Sequence, residues 1–350
     1  MKRVNDYKTF SEFRKISDKE FYPVFKEAIA KGFENKDLID WLKKLKIAAI
    51  ATFVASMVMV LVSFIVIITQ HFAIGGWLFV LAILILIAWF IIFRIYTKRR
   101  NEIFDDVLKK IPIEDLYAKA FETLESSIRY LGNNVSGQSN AYKANITIGE
   151  IKNYVNNIPA DAFLETYSKP KFVMIRNKFP VSFVNSTFLQ IIRNPKTKET
   201  HERRFYRGLL KLSTEALGQR AFAFSLFRGK GLFGSKGNIK LENDTFNKMF
   251  KVISDDELKI RQMYTPLSME LSVKRMLDKQ GVQATDLQIV SNGKDIYFMY
   301  TIDPQFMVLN RKSNKLDASK LLHELYTDFI MDIYTLYYLV SIMFIPSYLD

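Results

Sequence analysis

Two apolar runs near the N-terminus limit what this chain can become. Ile47 to Thr69 reads IAAIATFVASMVMVLVSFIVIIT and carries no charge. Trp77 to Tyr96 reads WLFVLAILILIAWFIIFRIY. Its one charge, Arg94, lies near enough to the end to snorkel toward lipid headgroups. At about 1.5 Å per residue the first run makes a helix roughly 34 Å long, enough to cross a hydrocarbon core of about 30 Å. Only QHFAIGG separates the two, too short for a domain, so the runs predict a tight antiparallel transmembrane hairpin. The alternative is a buried helical hairpin of a soluble protein. A cleaved signal peptide is disfavoured, because a long charged segment precedes the first run.

The flanks give a direction. Lys43, Lys44 and Lys46 precede the first span, Lys98, Arg99 and Arg100 follow the second, and the connection holds no Lys or Arg. The positive-inside rule therefore places both termini in the cytoplasm of a multi-pass plasma-membrane protein. Ala48, Thr52 and Ser56, four apart, predict a small-residue face where the two helices pack. Neither span has a central ionisable residue, so the hairpin reads as an anchor and not as an ion path.

Composition narrows the chemistry. The 350 residues contain no cysteine, which excludes disulfides, thiolate metal sites and cysteine nucleophiles. Histidine is limited to His71, His201 and His323. No metal or other cofactor is expected. The formal charge of +14 suits an anionic membrane surface, nucleic acid or solubility. The abundance of Lys, Asn, Ile and Phe suggests a bacterial genome of low GC content.

The remaining chain reads as cytoplasmic. Residues 1–46 are amphipathic and helical, with Phe21, Phe25, Ile29 and Phe33 about one turn apart. Residues 97–132 form a juxtamembrane helix ending at Gly132, which would pair with the first segment as a stalk. GNNVSGQSN then reads as a linker. Within 133–350, KFVMIRN, VSFVNSTFLQIIR, FYRGLLKLS and RAFAFSLF are strand-like, and NPKTKE is a turn. Leu287 to Ile302 predicts a hairpin with a type I′ turn at Asn292-Gly293. Thr265 to Gln280 reads as a helix stopped by Gly281, and Asp317 to Ile345 as a long helix. In that last helix Glu324, Asp328, Asp332 and Thr335 form a polar stripe, and packing on the sheet is favoured over a third span. The predicted class is α+β, with a mainly antiparallel sheet. Strands followed by a C-terminal helix also fit a pleckstrin-homology-like half barrel.

FYRGLL (Phe205 to Leu210), IKLENDTFNKMFKVISDD (Ile239 to Asp256) and RQMYTPLSMELSV (Arg261 to Val273) resemble the bacterial family known as domain of unknown function 3137. The N-terminal helix, the two spans, the late hairpin and the final helix look like its architecture, so the resemblance extends over nearly the whole chain. It implies a membrane-anchored cytoplasmic domain and no reaction, with a LemA-like membrane protein as a candidate partner.

Gly229 to Gly237, GKGLFGSKG, is near a phosphate loop but has Ser235-Lys236 in inverted order. NIKLEN after it reads as a strand, where a phosphate loop needs a helix. His323-Glu324 begins a zinc-protease pattern that Thr327 breaks, and no G-x-S-x-G elbow exists. No nucleic-acid-binding motif accompanies the charge. The expectation is therefore a non-enzymatic scaffold or adaptor that binds a protein partner or the anionic inner leaflet. The alternative is a lipid- or small-molecule-handling protein, or an enzyme, with a site in the sheet domain. Candidate membrane-contact residues are Arg228, Lys230, Leu232, Phe233 and Lys236, the alternative being that Leu232 and Phe233 pack inside the domain. A second basic loop holds Arg193, Lys196, Lys198, Arg203 and Arg204.

Overall fold

The computed structural model of the protein describes residues 7–69, 71–133, 135, 139–215, 222–228 and 238–345. The chain divides into two compact units. One comprises Phe21–Pro112 with Arg311–Tyr326, and the other comprises Met1–Glu20, Ile113–Asn310 and Thr327–Asp350.

Helix α1 (Phe10–Glu20) belongs to the second of these units; the first contains α2 (Tyr22–Gly32), α3 (Lys36–Ile68) and α4 (Phe72–Lys110). The Asn35 side chain caps α3 by accepting from the Leu38 amide at 2.9 Å. Both long helices are apolar enough to cross a membrane, and only 11% and 6% of their apolar windows are buried. Their contact face repeats every seven residues. It runs through Leu42, Ala49, Ser56 and Ser63 on α3, and through Gly75, Ala82, Tyr96 and Ile103 on α4. A seven-residue period is that of a left-handed supercoil. Small side chains bring the backbones close enough for Ser56 Oγ to donate to the Ala82 carbonyl and Ser63 Oγ to the Gly75 carbonyl, both at 3.0 Å. The fourfold stripe expected from the sequence is thereby corrected. Of its members only Ser56 is buried; Ala48 is exposed, and the Thr52 hydroxyl turns back to the Ala48 and Ala49 carbonyls of its own helix. Near the Lys36 end of α3, Leu42, Tyr96 and Ile103 form a small core with Phe33, Leu38, Ile39, Leu45 and Leu316.

The expected single helix to Gly132 is interrupted. Ile111 precedes Pro112 and takes an extended conformation, because the proline ring disfavours helix in the residue before it. Helix α5 (Ile113–Leu124) follows, and Ile128–Gly132 is already strand β1. Ser139 opens α6 (Ser139–Tyr142), and α7 (Ile148–Tyr154) has a reciprocal capping box between Thr147 and Glu150. Then come β2 (Phe163–Tyr167), β3 (Lys171–Ile175), β4 (Phe179–Arg193), β5 (Thr200–Ser213) and β6 (Ala223–Arg228). After them are α8 (Asp244–Met249), β7 (Phe250–Ile253), α9 (Glu257–Met263), α10 (Pro266–Leu277), β8 (Thr285–Asn292), β9 (Asp295–Thr301) and α11 (Ala318–Phe344).

Among the described residues the strands form one nine-stranded sheet, β1-β3-β4-β5-β9-β8-β6-β7, with β2 beside β4. Every pairing is antiparallel. The fold is thus α+β: two long apolar helices, an antiparallel sheet domain and a C-terminal helix. One sheet face carries a core of Val184, Phe188, Leu209, Tyr297 and Met299, covered by Ile146, Ile151 and Val155. NIKLEN is not a strand: only Ile239 bridges, to Val252, and Asn243 caps α8 through the Phe246 amide. The Asn292-Gly293 turn is also not type I′, since Gly293 has a positive φ (83°) and Asn292 does not. Instead the Asn292 side chain accepts from the amides of Lys294 and Asp295.

Candidate functional site: a basic arm and a charged cleft

Strands β4 and β5 outlast the sheet that surrounds them. Val181 pairs with Leu212 at one end and Arg193 with Thr200 at the other. Residues up to Leu189 are buried, whereas Ile191, Ile192 and Arg193 are exposed, as are Thr200 to Arg204 on the partner strand. At about 3.4 Å per residue, the last four residues of β4 extend roughly 14 Å beyond Leu189. The tip is an ordered turn. The Asn194 side chain accepts from the Lys196 amide at 2.9 Å, the Asn194 amide donates to the Glu199 carbonyl at 2.8 Å, and Lys198 takes a left-handed φ of 59°.

Charges on this arm are segregated. Glu165 grips Arg204 with both oxygens at 2.9 Å, and Glu202 pairs with the same guanidinium at 3.0 Å. The Glu165 carboxyl is held below the usual carboxylate range, chiefly by its hydrogen bonds from Arg204. Glu199 accepts from Thr197 and lies 4.0 Å from the exposed His201. Arg193, Lys196, Lys198 and Arg203 make no ion pair among the described residues; Arg203 lies over the Phe205 ring, 4.9 Å from its centroid. The acidic groups are thus occupied locally, while four cations and two adjacent isoleucines face outward.

The other basic loop, with Lys230, Leu232, Phe233 and Lys236, lies outside the described residues. Arg228 is the last residue of β6, where it pairs in register with Phe250.

A second cluster gathers where α7, β5 and β9 meet. The Lys211 ammonium donates to Glu150 Oε1 (2.7 Å), to the Asn145 carbonyl (3.2 Å) and toward Asp295 Oδ2 (3.4 Å), which uses all three of its hydrogens. The Tyr297 hydroxyl donates to Glu150 at 2.6 Å, and its ring stacks on Tyr154 at 3.8 Å. Burial works to raise the Glu150 carboxyl, but hydrogen bonds from Lys211, Tyr297 and Thr147 outweigh it and hold it low. Burial raises Asp295, against the pull of Lys211. Asp295 also lines an open cleft of about 440 Å³ with Lys143, Ser213, Thr214, Glu215 and Lys294. Among the described residues no three His, Asp or Glu side chains gather as metal ligands.

Helix α11 holds the polar groups whose role the sequence concealed. The polar stripe of the sequence is in part deeply buried: Asp332 is 2% exposed and Thr335 not at all. Asp332 Oδ2 accepts from the Met307 amide at 2.8 Å, while Lys171 Nζ donates to the Met307 carbonyl at 2.5 Å. Met307 itself sits at φ 58°, a conformation a non-glycine residue seldom adopts. Burial raises Asp332 well above the usual carboxylate range, and burial lowers Lys171. Further along, the Arg275 guanidinium lies over the rings of Tyr7, Tyr334, Tyr337 and Tyr338 and donates to Ser341 Oγ at 2.8 Å. The Tyr7 hydroxyl is pushed up to about 12 by burial, against the neighbouring Arg275 charge. The one legible signal was a lone arginine on the amphipathic face of α10. His323 is exposed on α11 and belongs to no such cluster.

Fold and site together define a class: a chain with two helices fit to span a membrane and an antiparallel α+β domain. Residues 219–342 match the family described as "Protein of unknown function (DUF3137)". The matched third of the chain contains the Ile239–Asp256 and Arg261–Val273 stretches, the β8–β9 hairpin and most of α11. Phe205–Leu210 and the two apolar helices lie outside it. No curated protein and no solved structure matches the chain.

Proposed function

We propose that the protein is a membrane-anchored, non-enzymatic scaffold. The α3–α4 hairpin crosses the plasma membrane with both termini in the cytoplasm, and the sheet domain docks on the anionic inner leaflet or on a protein partner, for which a LemA-like membrane protein remains the candidate. The observation that carries this reading is the outer surface of the hairpin. Ile50, Val54, Leu61, Ile65, Leu84, Ile87 and Ile91 are all more than half exposed. Apolar side chains turned outward along two adjacent helices match lipid, whereas a soluble core would cover them.

The absence of native cysteine makes the test direct, since any introduced thiol is unique. In intact cells a membrane-impermeant maleimide should label His71→Cys and leave Tyr142→Cys unlabelled until the membrane is opened. The reverse pattern, or release of the chain by alkaline washing, contradicts the reading.

The cleft favours a second reading, a domain that handles a small polar molecule. Its lining gathers two lysines, two hydroxyl residues and two carboxylates around one opening. Under this reading a ligand would shift the melting temperature of the wild type but not of Asp295→Asn with Lys294→Ala.

A further inference from the structure

We infer that the β4–β5 arm, Gln190 to Arg204, is a lipid-contact element that seats its tip end-on in an anionic bilayer surface. The inference rests on the membrane-tethered reading above and assigns the docking to particular residues, in a segment outside the family match.

Three observations converge. The arm projects with neither face covered: from Ile191 through Arg204 every residue is exposed except the half-buried Asn194. Ile191 and Ile192 are adjacent, so they point to opposite faces of the ribbon, and they are 51% and 42% exposed. A protein groove that reads one face of a ribbon would leave one of them in water. An interface entered end-on takes both.

Charge supplies the second argument. Arg193, Lys196, Lys198 and Arg203 flank the isoleucines, and of the arm's own two carboxylates Glu202 pairs with Arg204 and Glu199 accepts from the Thr197 hydroxyl. End-on, Lys196 and Lys198 of the leading turn meet the phosphates, and Ile191 and Ile192, just behind that turn, lie against the interfacial layer of an anionic bilayer. The third argument is the tether. A weak contact becomes effective on a chain already held at the bilayer, because the second binding event is intramolecular. Four cations and two isoleucines give a contact that is weak alone and readily reversed, as suits a docking element.

The tip is ordered by main-chain and Asn194 hydrogen bonds, so replacing its exposed cations leaves the turn intact. The full chain, carrying Thr200→Cys with an environment-sensitive fluorophore, is placed in nanodiscs of phosphatidylcholine alone or with about one-third phosphatidylglycerol. Quenching by spin-labelled lipid is then read. Strong quenching is expected only with the anionic lipid, and it should disappear at about 1 M salt, where the Debye length is about 3 Å. Arg193→Gln, Lys196→Gln and Lys198→Gln together should lower the bound-to-free ratio on the order of 100-fold. Ile191→Gln with Ile192→Gln should lower it further and leave the salt dependence in place.

Equal quenching in both lipids, or no change in the triple variant, overturns the assignment. So does a probe shielded from water but unquenched by lipid, which would mark a protein or a second copy as the occupant. Phe233→Ser with Lys236→Glu serves as the comparison: loss of quenching there alone transfers the contact to the Gly229–Gly237 loop. The thiol-labelling of residues 71 and 142 reports the anchor independently, so the arm assignment can fail while the tethered reading stands.

Discussion

The α3–α4 hairpin and the Thr327–Phe344 stretch of α11 are both long and apolar, yet their side chains meet opposite surroundings. On the hairpin the large residues face outward and the small ones face the seam: Ala49, Ser56 and Ser63 are buried, while Phe64, Ile65 and Ile68 are exposed. On α11 the described large residues from Phe329 to Ile342 are buried around the helix, apart from the half-buried Met331. Phe329, Ile333, Tyr334, Leu336, Leu339 and Val340 are all fully buried. Polar groups follow the same division. The hairpin's two seam serines satisfy backbone carbonyls of the facing helix. In α11 Asp332 has the Met307 amide, Thr335 the Gln283 amide and Ser341 the Arg275 guanidinium, while the buried Tyr337 hydroxyl has no hydrogen-bond partner among the described residues. Mean apolarity does not separate a span from a core helix; the location of the bulky residues does.

That contrast can be broken most strongly in α11's surroundings. Arg275→Ala removes a buried guanidinium from among four tyrosine rings and is expected to cost about 3 kcal/mol, read as a lower melting temperature of the detergent-solubilised chain. Arg275→Met keeps most of the packing volume and should lose less than half as much. Equal losses would mean that volume alone matters there.

Next comes Asp332. Asp332→Leu leaves the Met307 amide buried without an acceptor, with an expected loss of about 2 kcal/mol. The pH dependence has a definite sign. A carboxyl raised by folding contributes stability that is full below its ordinary value near 3.9 and is lost as pH rises through the folded value. Lys171, which lies near, and Asp328 and Asp303, whose charges raise Asp332 further, face the same group. The wild type should therefore weaken relative to Asp332→Asn as pH rises above about 4. A difference that grows instead as pH falls would contradict the burial of Asp332. Glu150, held low by Lys211 and Tyr297, contributes with the opposite sign in both proteins and cancels in the comparison.

Smaller effects belong to the hairpin. Ser63→Ala removes one interhelical hydrogen bond and should cost about 0.6 kcal/mol in a reversible unfolding titration in lipid. Leu61→Ala, on the outward face at 64% exposure, should change stability by less than about 0.5 kcal/mol. A larger loss at Leu61 than at Ser63 would place the seam elsewhere.

Much of this architecture was legible in the chain. The two long apolar helices, the β4 and β5 strands, the turn at Asn194–Glu199 and the final helix follow from apolar runs, β-branched content and turn chemistry. What misled was local ambiguity. Ala48, Thr52 and Ser56 satisfy a fourfold spacing, but supercoiled helices repeat every seven residues, and Ser63 and Gly75 complete that pattern only once the pairing is known. Ile128–Gly132 continued a helical pattern across Pro112, although the proline restricts the residue before it. Asp332 and Thr335 were visible as part of a polar stripe, but their partners were not, because a group such as the Met307 amide is distant in sequence. The cations of the arm were visible as a basic loop. Their freedom from ion pairs, and the occupation of Glu165 and Glu202 by Arg204, depend on which strand lies beside which.

The most direct measurement is a lipid-accessibility scan of the hairpin in bilayers, with single spin-labelled cysteines placed through α3 and α4. Residues 61, 65, 84 and 87 should be open to oxygen dissolved in the acyl chains and closed to a water-soluble relaxant. Residues 56, 63 and 82 should be closed to both and recur every seven positions. Access of the water-soluble relaxant to residues 61, 65, 84 and 87 would contradict a hairpin that spans the membrane.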